Sequence, residues 1–248
     1  MTQQLVIDHV SKVFGGLKAV ADVTMTIEQG TLIALIGPNG AGKTTLFNML
    51  TGESGPSSGT ITLYTADGPV DITKKKAYQV AKLGVARTFQ NIRLFGAMTV
   101  KENVLVARTH LYRESFIGTM LRLPQFYQQE AAVATAADES TASLPYGTQR
   151  RVEIVRAVAT KPQLLFLDEP AAGMNPEETA DLGRLITRIR EHFGITVVLI
   201  KHDMSLVMKL ADSIYVLDHG AMIASGTPNE IQTNAQVISA YLGGENHA

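Results

Sequence analysis

Eight consecutive residues, Gly37-Pro38-Asn39-Gly40-Ala41-Gly42-Lys43-Thr44, have the types and spacing to hold a polyphosphate. The glycines let the main chain turn tightly and aim N–H groups at phosphate oxygens, while a lysine pairs with the β and γ phosphates and a hydroxyl reaches a hard cation such as Mg²⁺. The motif lies between an apolar run, Leu32 to Ile36, and a helical pattern that begins near Lys43. That is the strand-loop-helix context such a loop requires, and the helix start adds the positive end of its dipole. The spacing predicts a site for ATP with Mg²⁺.

Two further segments could act on that nucleotide. Leu164 to Leu167 reads as an apolar strand ending in Asp168 and Glu169. An aspartate there can hold Mg²⁺, directly or through water, and the adjacent glutamate is the natural base or positioner for an attacking water. Two acids after a strand also serve as a helix cap or a solvated turn, and that alternative stays open at this level. Val197 to Ile200 is a second apolar strand, followed by His202. Parallel packing would carry His202 to the same edge as a γ-phosphate contact, although a lone histidine is commonly structural.

The elements that must position these residues alternate. Strand runs at Val23 to Ile27 and Leu32 to Ile36, a helix, the strand at Leu164, a helix from Pro176, the strand at Val197 and a helix after Asp203 predict an α/β fold with a mostly parallel sheet. The helix from Pro176 has Asn175 as N-cap, two glutamates in its first turn, Leu182, Leu185, Ile186 and Ile189 on one face, and an end near Gly194. Between Asn91 and Ser143 strand signals vanish, and Val100 to Thr109 and Gln125 to Ala137 read as helical, so a helical insertion is expected. Lys74 to Lys76 read as a solvated helix face.

Composition narrows the function. The chain has 248 residues, 45% hydrophobic, a formal net charge of −1 and no cysteine. A disulfide framework, a thiol nucleophile and a Cys-based zinc site are excluded, and the near-neutral balance argues against a broad electrostatic hold on nucleic acid. Met1 to Val10 do not read as a signal peptide, and no apolar run approaches the ~20 residues of a membrane span. Any membrane spans are expected from another chain.

Taken together, Gly37 to Thr44, Thr88-Phe89-Gln90, Leu144-Pro145-Tyr146-Gly147-Thr148-Gln149, Leu167-Asp168-Glu169-Pro170 and Lys201-His202-Asp203 resemble the ATP-binding-cassette family in content and order, over nearly the whole chain. Within it, Leu35 to Asn48, Arg87 to Phe95, Asp168 to Pro176 and the ending Ala240-Tyr241-Leu242-Gly243 are similar to the ATP-binding subunits of branched-chain amino acid importers. The resemblance implies a single nucleotide-binding domain over residues 1–248: a P-loop core, an N-terminal antiparallel β-subdomain, a helical subdomain near 91–160 and a C-terminal helical tail at 228–243.

Roles follow by the same resemblance. Phe14 stacks on adenine. Asn39, Gly40, Gly42, Lys43 and Thr45 bind phosphates, and Thr44, Gln90 and Asp168 serve Mg²⁺. Glu169 polarises water, with Gln90 and His202 completing the catalytic set. Pro145 and Gly147 face the ATP of an opposite protomer across a cassette dimer that ATP closes. Pro145 stands where the family usually has serine and supplies neither hydroxyl nor N–H, a loss of about 0.5–1.5 kcal/mol per hydrogen bond, so slow or partner-dependent hydrolysis is expected. Pro145 is also expected to begin the following helix, Gln149 to Thr160. The stretch from Glu130 to Ser143 is shorter than the family's usual one.

The implied partners are a second nucleotide-binding subunit, identical or a close paralogue, a permease docking through Gln90 to Phe95, and indirectly a substrate-binding protein, all at the cytoplasmic face of the inner membrane. A soluble cassette ATPase acting on ribosomes or DNA is a second reading, disfavoured by the single P-loop and the lack of heptads. A module that binds ATP without cleaving it is a third, prompted by Pro145.

Overall fold

The structure, a computed structural model, describes residues 2–108, 135–200 and 204–242. Four strands, β1 (Gln3–Phe14), β2 (Leu17–Glu28), β4 (Ser58–Thr65) and β5 (Gly68–Asp71), form an antiparallel sheet in the order β2-β1-β4-β5. Six others, β3 (Leu32–Ile36), β6 (Val85–Arg87), β7 (Leu164–Asp168), β8 (Thr196–Ile200), β9 (Ser213–Asp218) and β10 (Ala221–Gly226), form a second sheet ordered β10-β9-β3-β8-β7-β6. All neighbours in this second sheet are parallel except the antiparallel edge strand β10. The expected α/β class with a mostly parallel sheet and an antiparallel N-terminal part is what the chain adopts.

The period-2 alternation of β-strands sorts the apolar runs onto two cores. Leu32, Ala34, Ile36, Leu165, Leu167, Val197 and Leu199 face one way, against Leu182, Leu185, Ile186 and Ile189 of α5 (Pro176–Phe193) and Val152, Val155 and Val158 of α4 (Tyr146–Ala159). Ile33, Leu35, Leu164, Phe166, Val198 and Ile200 face the other way, against Leu46, Phe47, Met49 and Leu50 of α1 (Lys43–Leu50) and the inner face of the antiparallel sheet. Strands buried on both faces explain why β3, β7 and β8 read as unbroken apolar runs. Phe47 and Phe166 meet edge to face at 5.0 Å, fixing α1 over the sheet.

Local signals fix the remaining helices. The α5 N-terminus is a reciprocal capping box, in which Asn175 Oδ1 accepts from Glu178 N–H and Glu178 Oε2 accepts from Asn175 N–H, each at 2.9 Å. The helix ends at Gly194, with φ 64°. α3 (Val100–Ala107) starts with a similar box built by Thr99 and Glu102. α6 (Met204–Leu210) follows β8, and α7 (Pro228–Gln232) and α8 (Ala235–Leu242) fall within the predicted tail. Two expectations are corrected. Lys74 and Lys75 lie in a turn ahead of α2 (Ala77–Lys82), with Lys76 as its N-cap residue, because the helix begins only at Ala77. Pro145 is the N-cap of α4, with φ −55° and ψ 148°, and not its first helical residue; the helix starts at Tyr146, three residues before the predicted Gln149. Most of the predicted Gln125 to Ala137 helix, with Lys201, His202 and Asp203, lies outside the described residues.

Candidate nucleotide site

Because β3, β6, β7 and β8 run parallel, the loops that leave them emerge at one edge of the sheet, where open α/β sheets take their ligands. The loop after β3 carries the glycine-rich motif into α1. Gly37 must be glycine: a Cβ there would lie 2.0 Å from the Leu217 carbonyl oxygen. Gly42 is held at φ 96°, and its added Cβ would meet the Ala19 oxygen at 2.4 Å. The loop is thus packed from below by β9 and β2. Main-chain bonds continue the contact, from Ala21 N–H to the Gly220 oxygen at 2.7 Å and from Gly220 N–H to the Ala41 oxygen at 3.0 Å.

Lys43, only 5% exposed, folds back and donates through Nζ to the Gly37 and Pro38 oxygens at 2.8 and 2.7 Å. Burial lowers the proton affinity of this ammonium, and the nearby Glu169 carboxylate partly offsets the effect. A nearly buried cation beside helix N–H groups with no intrahelical acceptor is a fitted anion site. Asn39, Gly40 and Thr44 are exposed at its mouth, and Thr45 is half-buried.

The acids occupy the adjoining edge. Asp168 is 4% exposed, so a solvated turn is ruled out for it. Arg87, at the end of β6, donates through Nη2 to Asp168 Oδ2 at 2.7 Å and through Nη1 to Asn48 Oδ1 and Thr51 Oγ1 at 2.7 and 3.1 Å, bracing the acid against α1. Glu169 takes a left-handed backbone, φ 46°, and its N–H donates to the Ile200 oxygen at 3.1 Å. A strained non-glycine residue beside the phosphate loop is a common mark of a working site. Gln90 Nε2 lies 3.4 Å from Glu169 Oε2. The structure therefore brings Lys43, Gln90 and Glu169 into one constellation, with Asp168 tied to α1 beside them.

A family model described as ABC transporter matches residues 20–172, and one described as branched-chain amino acid ATP-binding cassette transporter matches residues 221–247. This chain belongs to the ABC transporter family. The cassette is 46% identical over 243 residues to the high-affinity branched-chain amino acid transport ATP-binding protein LivG of Salmonella typhimurium, covering 93% of this chain and 94% of that protein. It is 45% identical to BraF of Pseudomonas aeruginosa over the same shares. Among solved structures, an ATP-binding cassette in its ADP conformation, MJ1267, superposes with a TM-score of 0.85 at 27% identity, over 98% of this chain and 100% of that one. A nucleotide-free cassette gives 0.83 at 27% identity, over 97% and 99%. The chain is an ATP-hydrolysing enzyme of the cassette class.

The remaining predicted residues are more dispersed. Phe14 is 52% exposed at the tip of the β1–β2 hairpin, and Lys12 Nζ stands 5.1 Å from its ring centroid. Pro145 is exposed at the start of α4, whereas Gly147 is buried under the Glu178 side chain, whose Oε1 an added Cβ would meet at 2.8 Å. His202 lies outside the described residues. Sequence reasoning missed Arg87, Asn48, Thr51, Arg150 and Glu153. The readable hint was a charged residue closing the short strand β6, directly ahead of Thr88-Phe89-Gln90.

Proposed function

We propose that this cassette drives an importer of branched-chain or other hydrophobic amino acids by binding and hydrolysing MgATP at the cytoplasmic face of the membrane. The observation that carries the reading is the meeting of Lys43, Gln90 and Glu169 at the sheet edge beside the glycine loop, in a chain alike over nearly its full length to LivG, a branched-chain amino acid transport ATP-binding protein. No described helix is long and apolar enough to cross a membrane, so a separate permease supplies the path.

In this reading residues 1–248 form one cassette, with a helical subdomain near 91–160 and a tail at 228–243. Lys43 leaves its carbonyl partners for the β and γ phosphates, the amides of Asn39, Gly40, Gly42 and Thr45 surround them, and exposed Phe14 stacks on adenine. The Thr44 hydroxyl, the Gln90 amide oxygen and Asp168 Oδ1 are hard oxygen donors that suit Mg²⁺, since Arg87 takes Oδ2 and Gln90 Nε2 faces Glu169. Bound Mg²⁺ neutralises charge developing on the phosphate oxygens. Glu169 orients and deprotonates the attacking water, with His202 as a γ-phosphate contact. A second cassette presents its Pro145 to Gly147 segment to this nucleotide, the permease docks at Gln90 to Phe95, and a substrate-binding protein delivers the cargo.

The test is Glu169→Gln. ATP binding persists and turnover falls by about 10²–10⁴-fold, the usual contribution of a positioned base. Unchanged turnover removes Glu169 from the chemistry. Stimulation by leucine-like substrates in a reconstituted complex supports the cargo class, and copurification with ribosomes but no permease would overturn it.

A further inference from the structure

Arg150 is the largest fully buried side chain among the described residues. It sits on the first turns of α4 and makes its hydrogen bonds through both terminal nitrogens. Nη1 donates to the Phe89 oxygen at 2.6 Å and to Glu153 Oε2 at 2.7 Å, and Nη2 donates to the Gln90 oxygen at 2.6 Å and to the Tyr146 hydroxyl at 3.1 Å. Glu153, 1% exposed, returns the grip through Oε1, which accepts from the N–H groups of Phe89 at 3.5 Å and Arg93 at 3.3 Å. A stretch of backbone running from residue 89 to residue 93 is therefore held at both its donors and its acceptors by two side chains of one helix.

A buried ion pair is weak grounds for stability, because apolar residues of similar size often serve as well. This pair does something apolar residues cannot, since besides their mutual bond and the Tyr146 hydroxyl its hydrogen bonds go to main-chain atoms on either side of Gln90, although Arg150 Nε is left without a partner among the described residues. The planar guanidinium fork fixes two successive carbonyls at once, which the single ammonium of lysine does not reproduce.

We propose that Arg150 and Glu153 are positioning residues that fasten the Gln90 loop to the start of α4, so that loop and helix start move as one body. The inference deepens the proposed function, on whose assignment of Gln90 to the chain's own nucleotide and of the Pro145 to Gly147 segment to the partner's nucleotide it rests. Whatever displaces Gln90 then displaces the residues presented to the second nucleotide, and the two ATP sites of a dimer report to each other through this pair.

The test uses the full chain with Arg150→Lys, which keeps the charge and loses the fork, and Glu153→Gln, which keeps an acceptor and loses the charge. Amide exchange at residues 89–93 rises about tenfold or more in Arg150→Lys while exchange in α1 stays as in the unmodified chain, the pattern of one local unit released. Turnover falls about tenfold with ATP affinity held within about threefold, because the lost interaction positions a group and does not bind the ground state. Glu153→Gln gives the same pattern at smaller size, and decides the matter if Arg150→Lys does not fold. Unaltered loop exchange and turnover overturn the proposal, as does a uniform rise of exchange along the whole chain. Glu169→Gln separates the two levels: unmodified turnover there sinks the reading of the site, while the loop-exchange result still decides the role of Arg150 and Glu153.

Discussion

At the scale of single residues, the site is built from charges that have surrendered water. Arg87 and Asp168 are both nearly buried, with side-chain exposures of 8% and 6%, and each is the other's compensation. Removing one partner of such a pair costs about 3–5 kcal/mol, because a charge is left buried and unpaired. Arg87→Met is expected to lose that much in denaturant unfolding, and the double variant Arg87→Met with Asp168→Leu to recover most of it; equal losses in both would show that the pair's attraction is not the relevant quantity. Lys43→Ala is expected to abolish measurable ATP affinity in a calorimetric titration, since it withdraws a cation already placed among the loop carbonyls. Wild-type affinity in that variant would contradict the placement of the phosphates.

At the scale of elements, turns and caps decide where the chemistry stands. Gly37→Ala forces a Cβ into the Leu217 carbonyl, backbone against backbone, so neither side yields without moving β9 or the loop. A drop of about 2 kcal/mol or more is expected, in the upper part of the common range for a point change, with weakened ATP binding. A melting temperature equal to that of the unmodified chain would show that the loop relaxes freely. The strands and α5 were legible in sequence because their signals are local: continuous apolar runs, an Asn175-Pro176 start and a Gly194 stop. The acids after β7 were legible for the same reason. Arg87, Arg150 and Glu153 were not, because their partners lie 81, 60 and 64 residues away and a buried charged residue looks, in sequence, like a surface one. Pro145 was misplaced by one position: proline's preference is for the first helical residue, but here its ψ of 148° is extended and the helix begins one residue later.

At the scale of the whole molecule, two half-buried tyrosines connect distant parts. Tyr215, in β9, donates to the Thr26 oxygen in β2 at 2.8 Å, and Tyr241, in α8, lies beside the Gly37 main chain. Burial is the leading cause that raises both phenols above their usual value of 10. The folded chain therefore holds these protons after the unfolded chain has lost them, so their contribution is complete below that value and disappears as pH climbs through the raised one. Tyr215→Phe is expected to lose less stability than the unmodified chain in urea titrations as pH rises above about 10. Identical slopes would show that the phenol ionises in place. Lys43, displaced in the other direction, opposes this trend in both proteins and cancels in the comparison.

The Ala21, Gly220 and Ala41 bonds carry a mechanical meaning. They stitch the hairpin sheet, the far edge of the parallel sheet and the phosphate loop into a single seam. Prying the two sheets apart would therefore also disturb the loop on which a nucleotide is proposed to sit, so the bound protein is expected to resist that separation more than the free one.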